Sequence, residues 1–150
     1  MQRFKELDDC EQAVGSHLGY SGWHTAIQQQ IDLFAKATGD HPWIHVDQER
    51  AASGPFGTTI AHGYLTLSLV PKLVWEIYKV DGLSMGMNYG SNKVRFPSPV
   101  PVGSRVRAGA ELVALTRGAN GAQATVRVTI ELDGGDKPVC VAETVSALVP

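Results

Sequence analysis

The sequence predicts an α+β domain in which a curved antiparallel β-sheet wraps around a long, largely apolar α-helix. Three observations carry that expectation. Residues 62–80 have helical periodicity, and their first half is apolar nearly all round, so the helix must be covered on almost every side. From Leu83 onward the periodicity changes from helical to alternating and stays so to Leu148. Two turn signals, Asn120-Gly121 and Asp133-Gly134-Gly135-Asp136, fold that half back on itself as a meander with one wet face.

Taken in chain order, the first helix is predicted to start at Thr25, because Thr25-Ala26-Ile27-Gln28 fits a capping box. Ile27, Ile31, Phe34, Ala35 and Thr38 then share one face. Gln28, Gln29, Asp32 and Lys36 share the other, with Asp32 and Lys36 as an i,i+4 pair. Gly39 suits a left-handed exit, which places Asp40 in a loop. Asp47 is expected to cap a short helix over Gln48-Glu49-Arg50-Ala51-Ala52.

The central helix, roughly His62 to Val80, carries Tyr64, Leu65, Leu67, Leu69 and Val70 with only Thr66 and Ser68 between them. Lys72, Glu76 and Lys79 form a polar stripe on its second half, and Pro71 removes the backbone bond to the Leu67 carbonyl. Beyond it, Leu83, Met85, Met87 and Tyr89 alternate up to Gly90, and Val94 and Phe96 resume. Val106 to Leu112 and Ala124 to Leu132 alternate against charged and hydroxyl residues, and Val139 to Leu148 forms a last strand. One sheet covers only one side of the helix, so an edge-to-edge homodimer is expected.

The 150 residues suit one domain, 1–150, large enough to bury roughly 70% of its unfolded surface. A formal net charge of −2 without any Lys/Arg run argues against nucleic acid or an anionic membrane as a partner. The apolar stretch 63–80 is too short and too interrupted to span a bilayer. The N-terminus shows no secretory h-region, so the cytoplasm is the expected compartment. Cys10 and Cys140 have no metal or CxxC spacing, and Cys140 reads as a small core hydrophobe.

Chemistry concentrates in two segments. Asp40 and His45 offer a carboxylate and an imidazole five residues apart beside a turn, a pair able to hold and activate one water. His62-Gly63 heads the apolar helix, whose first amides suit a developing oxyanion. Taken alone, Asp40 reads more readily as an Asx-type turn residue and His45 as a partly buried structural histidine; together, and followed by His62-Gly63, they read as functional. His62 reads better as a capping or hydrogen-bonding residue than as a catalyst. His41 and His45 lie at i,i+4, but Pro42 breaks the face and no cysteine joins them, so no metal is expected. His17 and His24 have no chemical company.

The stretch Thr38-Gly39-Asp40 through Ile44-His45, followed by Ile60-Ala61-His62-Gly63, resembles the MaoC-like (R)-specific enoyl-CoA hydratases of the hot-dog fold. Asn88-Tyr89-Gly90, Val94-Arg95-Phe96 and Pro99-Val100 look like that family's strand after the central helix, and the likeness runs from about Gly19 to Val149. The resemblance implies hydration of a trans-2-enoyl-CoA to an (R)-3-hydroxyacyl-CoA, and the reverse dehydration. No cofactor is implied, coenzyme A being part of the substrate. By position, Asp40 and His45 hold the water and Gly63 gives its backbone N–H to the thioester oxygen. Trp43, His62, Tyr64, Lys93 and Arg95 are the implied substrate contacts, the last two for the phosphates of coenzyme A if they are more than a solvated strand edge. Where the family commonly has Asn-Pro this chain has Pro42-Trp43, which removes an amide side chain from the turn and sets Trp43 to narrow or close the pocket.

Two other functions fit the same residues. A hot-dog acyl-CoA thioesterase would also want an acid near a polarised carbonyl, and would release free thiol. A non-catalytic acyl-CoA-binding subunit would bind without turnover and be indifferent to Asp40→Asn.

Overall fold

The computed structural model describes all 150 residues. The chain opens with β1 (Gln2–Phe4), α1 (Leu7–Gln12), β2 (His17–Tyr20) and β3 (His24–Thr25). Five helices follow: α2 (Gln28–Thr38), α3 (Trp43–Val46), α4 (Gln48–Ala52), α5 (Gly63–Ser68) and α6 (Val70–Trp75). Strand β4 (Tyr78–Val80) precedes four long strands, β5 (Met85–Arg95), β6 (Arg105–Gly118), β7 (Gly121–Leu132) and β8 (Pro138–Val149). The main sheet runs β2-β6-β7-β8-β5, with β3 also on β6, and every pairing in it is antiparallel.

The alternation sorts the two faces of this sheet as expected. Val106, Ala108, Ala110 and Leu112 of β6, Ala124, Val126, Val128 and Ile130 of β7, and Cys140 and Ala142 of β8 are buried. They form one core with Leu65, Val70, Leu73 and Ile77 of the central helical segment. The alanines among them keep the inner face shallow, which lets a helix lie close. Cys140 behaves as the expected core hydrophobe: it is fully buried, and burial pushes its thiol up to about 11. On the wet face, charges pair across the register, Arg107 with Glu131 and Arg127 with Glu111.

Several elements depart from the sequence expectation, each for a non-local reason. Thr25 belongs to β3 and caps nothing. The helix starts at Gln28, and its N-cap, Ile27, makes no side-chain bond. Hydrogen bonds from Ala26 N–H to Ser104 O and from Gly103 N–H to Ala26 O hold that segment extended against the loop before β6. Ile27 and Thr38 are exposed, leaving Ile31, Phe34 and Ala35 as the packed face. Asp32 accepts from Gln28 and does not pair with Lys36.

The central helix breaks at Leu69, two residues before Pro71, and ends at Trp75. Residues 78–80 leave the helix because they pair in parallel with β1 at the far N-terminus. The first hairpin turns on Ala119-Asn120, closed by the pair Gly118–Gly121. No non-glycine residue has positive φ, so the expected type I′ turn at Asn120-Gly121 does not form. The second turn, around Gly134 at φ +75°, is as expected.

Strand β5 pairs only with β8, so its outer edge is open. Met85, Met87 and Tyr89 are exposed along it, and Tyr64, Trp75 and Phe96 are exposed elsewhere in the chain. A groove of about 890 Å³ runs between this strand and the helical segment, lined in part by Leu67, Val74, Met85, Met87 and Thr144. No helix is long and apolar enough to cross a membrane.

Candidate active site

Helix α2 ends on Gly39, whose φ of +76° turns the chain out of the helix while its N–H still reaches the Ala35 carbonyl at 2.8 Å. Asp40 therefore sits in the loop, with its side chain 56% exposed. Pro42 then stands at the N-cap of α3, whose single turn carries His45 inward to 8% exposure. Asp47 ends that turn and caps α4, its Oδ1 accepting the Arg50 N–H at 3.0 Å as the sequence predicts.

The segment before α5 is pinned on three sides. Ile60 N–H donates to Ile44 O at 3.0 Å, Ala61 N–H to Val100 O at 2.8 Å, and Val102 N–H to Thr59 O at 2.9 Å. These bonds aim two groups at His45. The Ile60 carbonyl lies 2.7 Å from His45 Nδ1. A carbonyl only accepts, so Nδ1 carries the proton and Nε2 of the neutral ring keeps a free lone pair. The His62 ring stacks on His45, centroids 3.9 Å apart and planes 23° from parallel, with Phe34 4.9 Å from His62.

His62 is 2% exposed and occupies the N-cap position of α5, yet its ring makes no capping bond. Its Nε2–H donates to the Asp40 carbonyl at 3.0 Å, and the Asp40 Oδ2 lies 3.9 Å away. The hydrogen-bonding reading of His62 thus fits its burial against the His45 ring. The His62 Nδ1 is left as a buried lone pair without a donor.

One carboxylate oxygen of Asp40 and one nitrogen from each of His45 and His62 lie within 4.8 Å of one another. A single water bonded at about 2.8 Å to each of two such atoms bridges a gap of about 4.4–4.8 Å. A metal fits less well. An imidazole lone pair lies in its ring plane, and two planes stacked 3.9 Å apart at 23° do not meet beside the rings, so both lone pairs cannot point at one centre at about 2.0–2.1 Å. His41 is exposed and outside the cluster. Burial pushes the His45 pKa below the ordinary 6.5; its bond to the Ile60 carbonyl opposes this, His62 adds to it, and Asp40 opposes it.

Gly63 is the first residue of α5, so its amide has no carbonyl one turn back to bond. A Cβ there would meet the Phe96 ring at 3.1 Å. Tyr64 is 70% exposed and edge-on to Phe96 at 6.1 Å. Trp43 is half-buried under the Arg50 guanidinium, 4.5 Å from its ring, and against Gly54. Lys93 and Arg95 are exposed on β5, and Arg95 directly precedes Phe96, the ring that faces Gly63. The groove does not include Asp40, His45 or His62 among its walls, but α5 joins it to His62, which stands at the helix N-cap while Leu67 and Ser68 line the groove.

Two residues at this site escape sequence reasoning. Gln28 looks like one more polar residue on a wet helix face, yet its Nε2 donates to His45 O at 2.8 Å. Its Oε1 accepts from the Thr59 hydroxyl at 2.5 Å. Thr59 is fully buried, which an isolated threonine before an isoleucine does not announce.

Residues 9–133 match the family described as MaoC like domain. The 3-hydroxyacyl-thioester dehydratase Z of Mycobacterium tuberculosis is 56% identical over 146 residues, covering 97% of both chains. Nodulation protein N of Rhizobium leguminosarum bv. viciae is 45% identical, covering 95% of this chain and 90% of its own. Among solved structures, the (R)-hydratase of A. caviae superposes with a TM-score of 0.74 at 27% identity, covering 91% of this chain and 96% of its own. The fold is accordingly the hot-dog fold, a curved sheet around a central helix.

Proposed function

Because the chain belongs to the MaoC-like domain family and is an enzyme of the dehydratase type, we propose that it adds water to a trans-2-enoyl-CoA and removes it from the (R)-3-hydroxyacyl-CoA. The observation that carries the reading is the free Nε2 lone pair of His45 beside the exposed Asp40 carboxylate, both next to the start of α5.

In this mechanism Asp40 and His45 Nε2 hold one water between them. The Asp40 carboxylate accepts one water proton as a hydrogen bond and orients the oxygen lone pair toward C3. His45 Nε2 takes the other proton as the C3–O bond forms, and the resulting imidazolium is stabilised by Asp40. The electron pair of the double bond moves toward the thioester, whose oxygen is met by the Gly63 N–H at the start of α5, worth about 3–4 kcal/mol for a well-placed donor. The imidazolium then delivers its Nε2 proton to C2, which closes the cycle with the hydroxyacyl product and neutral His45. Burial of His45 supports this role, since it keeps the ring neutral at pH 7 and makes the imidazolium a willing donor.

The substrate is proposed to approach from the side of Tyr64 and Trp43, with Lys93 and Arg95 supplying cations for the phosphates of coenzyme A. A second copy of the chain is proposed to pair along the open edge of β5, giving a homodimer with the groove beside its seam.

The test is loss of the conjugated enoyl-thioester absorbance with crotonyl-CoA and a longer enoyl-CoA, followed beside a thiol reagent. Absorbance loss without thiol supports hydration. Thiol release means a thioesterase, and binding without either change means an acyl-CoA-binding subunit.

Two further outcomes are expected. The acid limb of kcat/KM against pH should lie below 6.5, because the lowered His45 pKa keeps the basic form populated further into acid; activity falls only when pH drops through that value. A limb above 7 would contradict His45 as the base. Gly63→Ala forces Phe96 or the start of α5 to shift, and should lower turnover by about 10-fold or more for a cost of about 1–3 kcal/mol in stability. Paired kinetics and thermal melts of that variant separate the two effects.

A further inference from the structure

We propose that Gln28 is a positioning residue which, together with Thr59, fixes the backbone and tautomer of His45. The inference rests on the reading of His45 as the base.

Four segments meet at the Gln28 carboxamide. Its Nε2 donates to His45 O at 2.8 Å and to Asp32 Oδ1 at 2.9 Å. Its Oε1 accepts from Thr59 Oγ1 at 2.5 Å and from Gln48 Nε2 at 3.3 Å. Both donors and both lone pairs are therefore engaged, which is the full hydrogen-bonding capacity of an amide. No other side chain bonds both the segment carrying His45 and the segment carrying its carbonyl partner.

That second link gives Gln28 its function. The residue after Thr59 is Ile60, whose carbonyl holds the His45 Nδ1 proton at 2.7 Å. Ile60 N–H also bonds Ile44 O at 3.0 Å. Gln28 closes a ring with these bonds: His45 backbone to Gln28, Gln28 to the Thr59 hydroxyl, Thr59 through Ile60 to the His45 ring. Without the amide, one backbone bond and the ring's own contact remain to set the spacing between residues 45 and 60. The imidazole then gains freedom to rotate or to exchange tautomers, and a ring protonated on Nε2 has no lone pair to offer a water. An acceptor alone is not enough at position 28, because a carboxylate there keeps the Thr59 bond but loses the donor to His45 O and faces the Asp32 carboxylate.

The test combines kinetics with ¹⁵N NMR of the imidazole rings, applied to the full chain and to Gln28→Leu, Gln28→Glu, Thr59→Val and Thr59→Ser. In the unaltered protein at pH 7, His45 should show a protonated Nδ1 and an unprotonated Nε2. Gln28→Leu and Gln28→Glu should give averaged or exchange-broadened His45 nitrogens and lower kcat by about 10–10²-fold, with KM less affected. Thr59→Val should resemble Gln28→Leu, Thr59→Ser should restore most of the loss, and the Gln28→Leu/Thr59→Val pair should lose less than the product of the single losses. An unchanged His45 spectrum in the folded Gln28 variants, or losses that multiply independently, would overturn the proposal. If Gln28→Leu fails to fold, Gln28→Glu and Thr59→Val carry the same comparison. Because the spectrum is read without substrate, it separates this proposal from the hydratase reading: no turnover with a tautomer that shifts leaves Gln28 confirmed as the positioning residue and sinks the reaction instead.

Discussion

Asp40→Asn and His45→Gln should each lower enoyl-CoA hydration by roughly 10²–10⁴-fold, the usual worth of a well-placed acid or base. Asn at position 40 keeps the shape of the side chain and leaves the backbone carbonyl that His62 bonds. It therefore removes the negative charge that orients the water and stabilises the imidazolium, and little else. With its side chain 56% exposed, Asp40 contributes no large share of stability, and the melting temperature of Asp40→Asn should stay within a few degrees of the parent. Gln at position 45 can still donate to the Ile60 carbonyl, but its amide cannot take up and return a proton near neutrality. It also loses the stack on His62, so a stability cost of about 1–2 kcal/mol is expected beside the kinetic loss. Stopped-flow absorbance with each folded variant decides the matter. Turnover within a factor of three of the parent in either variant would remove the acid–base pair from the mechanism.

The second large effect concerns the open edge. Strand β5 spans 11 residues, offers one whole side of backbone N–H and C=O groups without a partner, and exposes Met85, Met87 and Tyr89. A long, exposed and apolar edge is a template for pairing with another strand. A Met87→Lys/Tyr89→Lys variant places two charges on that edge, and desolvating them on pairing costs several kcal/mol. Sedimentation velocity should show a dimer for the unaltered chain and a monomer for the variant. The far-UV spectrum should be retained, because neither side chain belongs to the core. A parent protein that sediments as a monomer at micromolar concentration would refute edge pairing.

Much of this architecture was legible because it depends on local period. The alternating residues of β6, β7 and β8 declare which face meets the helix, and Gly39 and Asp47 declare a helix end and a helix start through backbone chemistry confined to one turn. What was not legible depends on partners far away in the chain. Thr25 has the chemistry of a cap but is drawn into β3 by β6, and residues 78–80 have helical pattern but are drawn into β4 by the N-terminal strand. The hairpin at Asn120-Gly121 was predicted from a dipeptide preference, and the sheet register shifted the turn by one residue.

The candidate site divides the same way. By itself the sequence determined that a carboxylate and an imidazole stand five residues apart beyond a helix end, and that a glycine heads the apolar helix, since spacing along a chain needs no fold to read. Only the tertiary structure decided which nitrogen of His45 is free, that His62 stacks on it at 2% exposure, and that Gln28 and Thr59 hydrogen-bond around it. Those properties are set by hydrogen bonds spanning 15 to 31 residues. A bond of that span is specified by where whole elements pack, and no pattern within either segment records it.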